Sequence, residues 1–217
     1  MITIIIPIKP LAVAKSRLAP VLSDDERAGL VMAMAKDVLE AVLSAESAKS
    51  PLIVSADNTI LQLAEAAGCQ ILQDDDANGY NEAAALGVAQ AEKDGAEGIL
   101  ILPADLPLIT AADVKLLLRS ISAPCVVIAP DQDEEGSNAL AIAPPTAMKT
   151  AFGTGSFQRH CEDAARLGLS LEVVNSPGLA LDIDTPDDLE RLSRMPGNTH
   201  TQKYLKSLGV KSADLVQ

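Results

Sequence analysis

The stretch GILILPADLPL, Gly98–Leu108, decides how this chain is read. Ile99–Leu102 are apolar and run into Pro103, then Asp105, then Pro107. Such a run reads as the end of a strand buried inside a sheet. A carboxylate at the mouth of that strand is out of place unless it has a partner. The two prolines restrict the backbone on either side and so preorganise it. A hard cation such as Mg²⁺ takes carboxylate oxygens together with substrate phosphates. Asp105 is therefore a candidate metal ligand.

Outward from this strand, apolar runs alternate with helical patterns, the signature of an α/β fold with a mostly parallel central sheet. ITIIIPI (Ile2–Ile8) predicts the first strand. SDDE (Ser23–Glu26) has the capping-box form and predicts a helix ending at Ser44 or Ala45. PLIVSAD, CQILQ, CVVIAPD, NALAIAPP and LEVVN predict further strands, and LALDIDT a strand end. NTILQLAEAAG predicts a helix stopped by Gly68. Other helices follow DDDANGY, start after Thr110, cover GSFQRHCEDAARLG, and begin at Pro186. Residues 1–195 read as one domain. MPGNTHTQ (Met195–Gln202) reads as a linker, and the 196–217 tail as a short docked helix around KYLKSLGV.

The bulk composition narrows the function. A length of 217 residues with 48% hydrophobic residues permits a sizeable core. Aromatics are only 2%, so Ala, Leu, Val and Ile must build it. The net charge of −13 argues against a nucleic-acid partner, whose phosphates demand Lys and Arg. Cys69, Cys125 and Cys161 show no metal spacing and read as reduced thiols in a cytoplasmic protein. The apolar run of MITIIIPIKP is too short to cross a membrane and lacks signal-peptide flanks.

Ligands of open α/β sheets sit outside the carboxyl ends of the strands. Lys9, Lys15 and Arg17 follow the first strand and are placed to meet a phosphate chain. There is no dinucleotide fingerprint and no Walker A motif. LDIDTPDDL (Leu181–Leu189) puts Asp182 and Asp184 on one side of an extended chain, where they repel unless a cation lies between them. Asp105 with Asp182, Asp184 or both is the expected metal site, while Thr185 is the expected cap of the next helix. Asp74, Asp75 and Asp76 read as solvated. Gly79 and Asn81 could present a hinge and an amide to a base or ribose. Gly153-Thr154-Gly155-Ser156 opens a helix, and its N–H groups suit an anion. Ser156 adds a hydroxyl or simply caps that helix. His160 reads as a satisfied helix histidine, not a base.

Taken together, IPIKPLAVAKSRLAPVLSDDER, PADLPL, GSNALAI, FGTGSFQRH and LDIDTPDDLERL, in this order, resemble the guanylyltransferases of coenzyme F-420 biosynthesis, called CofC in archaea and FbiD in mycobacteria. The resemblance spans about residues 2–195. It implies a three-layer αβα, GT-A-like (Rossmann-like) nucleotidyltransferase fold, akin to the molybdenum-cofactor guanylyltransferases. It also implies transfer of GMP from GTP to 2-phospho-L-lactate, phosphoenolpyruvate or 3-phosphoglycerate, with release of pyrophosphate. On this pattern Asp105, Asp182 and Asp184 hold Mg²⁺, two ions being expected. Ser137 or Asn138, Gly153 and Ser156 hold the acceptor. Lys9, Lys15 and Arg17 meet the triphosphate, with Lys15, Arg17 and Asp105 the catalytic set. Gly79 and Asn81 lie near guanosine. A downstream transferase would take up the unstable guanosine diphospho-acid, and a homodimer is left open. One departure is DEEGSNAL in place of a GGGTNAL-like segment. Glu134 and Glu135 add negative charge there and leave the acceptor's identity open. The rivals are another GT-A-like nucleotidyltransferase and a non-catalytic nucleotide-binding regulator. A haloacid-dehalogenase-type phosphatase would need D-x-D on the first strand, which is absent.

Overall fold

The computed structural model describes residues 1–45, 50–76 and 79–209. Seven strands form one sheet: β1 (Ile2–Pro7), β2 (Leu52–Ser55), β3 (Gln70–Gln73), β4 (Gly98–Ile101), β5 (Cys125–Pro130), β6 (Ser137–Ala143) and β7 (Ser170–Val173). Their order is β3-β2-β1-β4-β6-β5-β7. β6 runs against both its neighbours, β4 and β5, and the other pairings are parallel. The helices are α1 (Asp24–Ser44), α2 (Asn58–Ala66), α3 (Tyr80–Lys93), α4 (Ala111–Ser120), α5 (Ser156–Arg166), α6 (Pro177–Ala180), α7 (Pro186–Arg194) and α8 (His200–Ser207).

The strand patterns produce the layers. In β1, Ile4 and Ile6 join the core shared with α1, α2, α4 and α7, while Ile5 joins the core beneath α3 and α5. The central strands β4, β5 and β6 are buried along their whole length, which is why they read as near-continuous apolar runs. The edge strand β7 is exposed throughout. Small residues let the helices lie close to the sheet. A Cβ at Gly87 of α3 would come within 2.5 Å of the Ile5 side chain.

Helix starts follow the expected caps. Ser23 with Glu26, Thr110 with Asp113 and Thr185 with Asp188 each form a reciprocal capping box. Three expectations need correction. LALDIDT contains no strand: Pro177–Ala180 is the short helix α6, capped by Ser176, and residues 181–184 belong to neither helix nor strand. They bond instead to the turn after β4, through the Ile183 N–H and the Asp105 carbonyl at 3.2 Å. The supposed linker contributes residues to α8, which starts at His200 and packs on α1. Asp74 is buried at 8% exposure, whereas Asp75 and Asp76 are exposed. The end of the predicted tail helix, from Val210 onward, lies outside the described residues.

Candidate active site

Sheet topology creates the site. From β1 the chain moves to β2 and β3 on one side, then returns to place β4 on the other. At such a switch the loops leaving adjacent strands diverge and open a crevice at the carboxyl ends. Lys9 follows β1 and Asp105 follows β4. Because β6 runs the opposite way, its first residues, Ser137 and Asn138, arrive at the same end. A cleft of about 680 Å³ results, lined among others by Lys9, Arg17, Asp105, Ser137, Ser156 and Asp182.

The loop after β1 is anchored by the Leu11 N–H, which donates to Asp57 at 3.0 Å, the same Asp57 that caps α2. Lys15 then adopts a left-handed backbone, φ 54°, a costly conformation for a side-chain-bearing residue. Its ammonium donates to Asp105 at 2.5 Å and to Asp184 at 2.8 Å. Burial alone would push that ammonium down, but the charges of Asp105 and Asp184 outweigh burial and hold it above its usual value. Arg17 reaches Asp184 at 3.6 Å and stays largely exposed.

Asp105, Asp182 and Asp184 each bring a carboxylate oxygen within 4.8 Å of the others. One buried ammonium does not neutralise three carboxylates. Burial first, then the charge of Asp105, pushes Asp182 up to about 6. Asp184 is also raised by burial, but Lys15 and Arg17 reverse this and hold it below the usual carboxylate range. The second oxygen of Asp105 is buried without a hydrogen-bond partner among the described residues. A hard divalent cation would fit this set: Asp105, Asp182 and Asp184 would supply oxygen ligands, and its charge would relieve the repulsion at Asp182.

The expected nucleotide and acceptor residues divide on inspection. Lys9, Gly79, Asn81, Ser137, Asn138, Gly153 and Ser156 all line the cleft. The Asn81 amide, however, is engaged at both ends by Phe152, donating to its carbonyl at 3.1 Å and accepting from its N–H at 2.8 Å. It ties α3 to the loop before α5. The Asn138 amide donates to the Leu179 carbonyl at 2.9 Å and to Asp182 at 3.2 Å, so it holds the Asp182 segment in place. Gly79 has φ 135° and Gly153 φ 118°, backbone that only glycine adopts readily. Gly155, not Ser156, is the N-cap of α5, which leaves the Ser156 hydroxyl for other partners.

Sequence reasoning missed Tyr80, Phe152 and Asp131. Tyr80 lines the cleft, and its hydroxyl is buried without a partner among the described residues. Burial and then Asp105 push it well above its ordinary value. Its ring meets Phe152 edge-on at 5.1 Å, and Phe152 meets His160 at 5.4 Å. The scarcity of aromatics, two Phe and two Tyr, was the available signal, while the meeting of Tyr80 with Phe152 is tertiary. Asp131 gathers the N–H groups of Asp133, Glu135 and Gly136 and shapes the loop entering β6.

Comparisons with known proteins bear on the family and the fold. Residues 2–214 match the family described as guanylyl transferase CofC like. A phosphoenolpyruvate guanylyltransferase of Sphaerobacter thermophilus is 41% identical over 87% of this chain and 91% of its own. A 2-phospho-L-lactate guanylyltransferase of Methanothermobacter thermautotrophicus is 40% identical over 94% and 89%. A 3-phospho-D-glycerate guanylyltransferase of Phenylobacterium zucineum is 35% identical over 90% and 91%. Among solved structures, a candidate nucleotide-diphospho-sugar transferase from Desulfovibrio desulfuricans superposes with a TM-score of 0.77, covering 99% of this chain and 96% of that one at 19% identity. The fold is that of the GT-A-like nucleotidyltransferases, and the chain belongs to the family of CofC-like guanylyl transferases.

Proposed function

We propose that the protein transfers GMP from GTP to the phosphate of a three-carbon acid, as a Mg²⁺-dependent step of coenzyme F-420 biosynthesis. Family membership supports the reaction class, and the relatives' names, which give phosphoenolpyruvate, 2-phospho-L-lactate and 3-phospho-D-glycerate, support a phosphorylated three-carbon acid as acceptor. The observation that carries the mechanism is the convergence of Asp105, Asp182 and Asp184 at the carboxyl end of the sheet. These three would hold the metal, which when bound supplies positive charge against the phosphates.

Lys15 holds Asp105 and Asp184 in register, and Lys9 and Arg17 meet the triphosphate at the cleft wall. Gly153, Ser156 and Ser137 receive the acceptor's carboxylate and phosphate. An acceptor phosphate oxygen forms a new bond to the α-phosphorus. The bond from that phosphorus to the bridging oxygen breaks, and pyrophosphate leaves with the electron pair. The nucleophile is already an anion, so no general base is needed. Both ring nitrogens of His160 are engaged by the protein itself, which accords with that. Catalysis is then positioning and charge neutralisation.

The product is an activated guanosine diphospho-acid, which a downstream transferase in the cytoplasm consumes. Residues 1–195 form the catalytic domain, and α8 docks on it. Among the described residues no helix is long and apolar enough to cross a membrane. The test is pyrophosphate release with Mg²⁺ and GTP, run with each acid separately and with ATP and CTP as controls. Release with GTP and one acid is the expected result. Silence with all three acids would overturn the assignment.

A further inference from the structure

Ser156 and His160 are four residues apart on α5 and share the face turned toward β6. We propose that His160 is a positioning residue that fixes the Ser137–Ser156 hydroxyl pair as a hydrogen-bond donor toward the anionic acceptor. The proposal rests on the acceptor reading given above.

The argument is a count of protons. His160 is fully buried. Its Nε2 lies 3.0 Å from the backbone N of Ala151, and its Nδ1 lies 2.9 Å from the Ser137 Oγ. A backbone N–H can only donate, so Nε2 accepts. The neutral ring then carries its proton on Nδ1 and donates it to Ser137. Burial and then the Arg159 guanidinium depress the imidazole to about 4, against a smaller opposing pull from Asp163, so the ring stays neutral near pH 7.

Ser137 Oγ and Ser156 Oγ are 3.1 Å apart. The pair has two hydroxyl protons. One closes the bond between the two oxygens. The other cannot go to His160, because that ring is itself donating. Both serines line the cleft, so the second proton is directed there. A carboxylate or phosphate offers only lone pairs and requires a donor. With the other tautomer, Ser137 would direct its proton at the ring and present lone pairs to an anion. The Ala151 N–H therefore selects the polarity of the acceptor subsite from two bonds away. Phe152, edge-on to the ring, restricts its rotation.

Two substitutions separate positioning from packing. His160→Asn places an amide N–H where Nδ1–H was and keeps the donor to Ser137. His160→Gln reaches the Nε2 position, accepts from Ala151 and loses that donor. Steady-state kinetics of pyrophosphate release would use GTP and whichever acid supports turnover. His160→Gln is expected to raise the KM for the acid about tenfold, with the KM for GTP within about twofold, as for one lost charge-assisted hydrogen bond. His160→Asn is expected to restore most of the wild-type value. Equal KM values for the acid in the two variants would overturn the proposal. Ser137→Ala is the control for the subsite. If it raises the KM for the acid while both His160 variants behave as wild type, the positioning role alone fails. If it leaves that KM unchanged, the acceptor reading fails, and the proposal with it.

Discussion

The half-buried Asp105 and the buried His160 show two ways a single polar group acts. Asp105→Asn keeps the shape of the side chain and removes one of three converging charges. We expect kcat to fall by roughly 100-fold or more, the scale of losing an electrostatic contact at a phosphoryl centre, with the melting temperature changed by only a few degrees. Initial rates beside thermal melts would check this, and near-normal turnover would remove the metal site. His160 links stability to acid. Its imidazole is held at about 4, below the ordinary 6.5, so the unfolded chain takes up a proton first as pH drops. The stability from the neutral, doubly bonded ring is complete above pH 6.5 and is lost as pH falls toward 4, on the order of 2 kcal/mol. Urea titrations at pH 7 and 4.5 should show a smaller loss in His160→Asn than in the wild type.

Among the elements, α8 depends most on a single residue of another helix. The buried Asp37 of α1 accepts from the His200 N–H at 2.7 Å, the Thr201 N–H at 2.9 Å and the Thr201 hydroxyl at 2.6 Å. The carboxylate thus caps the start of α8 and complements its dipole. Tyr204 adds a bond to the Glu26 carbonyl across the same contact. Asp37→Ala leaves these donors unmet and should cost about 2–3 kcal/mol. Amide exchange would then show α8 losing protection before the sheet does. Unchanged protection across His200–Ser207 would contradict the role given to Asp37. This helix also marks a limit of local reading. MPGNTHTQ looks like a linker because Pro196, Gly197 and Asn198 dominate it. The cap that starts α8 at Thr199 is reinforced from a residue some 160 positions away.

For the whole molecule, the governing quantity is charge. A chain of net charge −13 that handles triphosphates must reverse its sign locally. Lys9, Lys15 and Arg17 begin that reversal, and a divalent cation would complete it. Saturating Mg²⁺ should therefore stabilise the protein by linkage, by about 2.7 kcal/mol at a hundredfold excess over Kd, which is roughly 5–10 °C for a domain of this size. The shift should vanish in Asp105→Asn. Differential scanning fluorimetry with and without EDTA measures it, and an equal shift in both proteins would place the ion elsewhere.

What the sequence alone determined was whatever depends on near neighbours in the chain. Apolar runs at β1, β4 and β5 mark strands buried on both faces. Capping boxes at Ser23, Thr110 and Thr185 mark helix starts, because their partners are three residues away. The carboxylates that converge were legible as candidates for a similar reason: Asp105 stands between two prolines after an apolar run, and Asp182 and Asp184 are two residues apart. The partners of long-range polar groups were decided by tertiary structure alone. The antiparallel sense of β6 brings Ser137 to the same end as Asp105. Asn81 is taken up by Phe152, and Asn138 by Leu179 and Asp182. LALDIDT reads as a strand end by composition, yet its backbone pairs with no strand and bonds to the Asp105 turn, while the Asn138 side chain of β6 holds Leu179 and Asp182. Local chemistry specifies which groups need partners, and only the packing of distant segments specifies which partners they find.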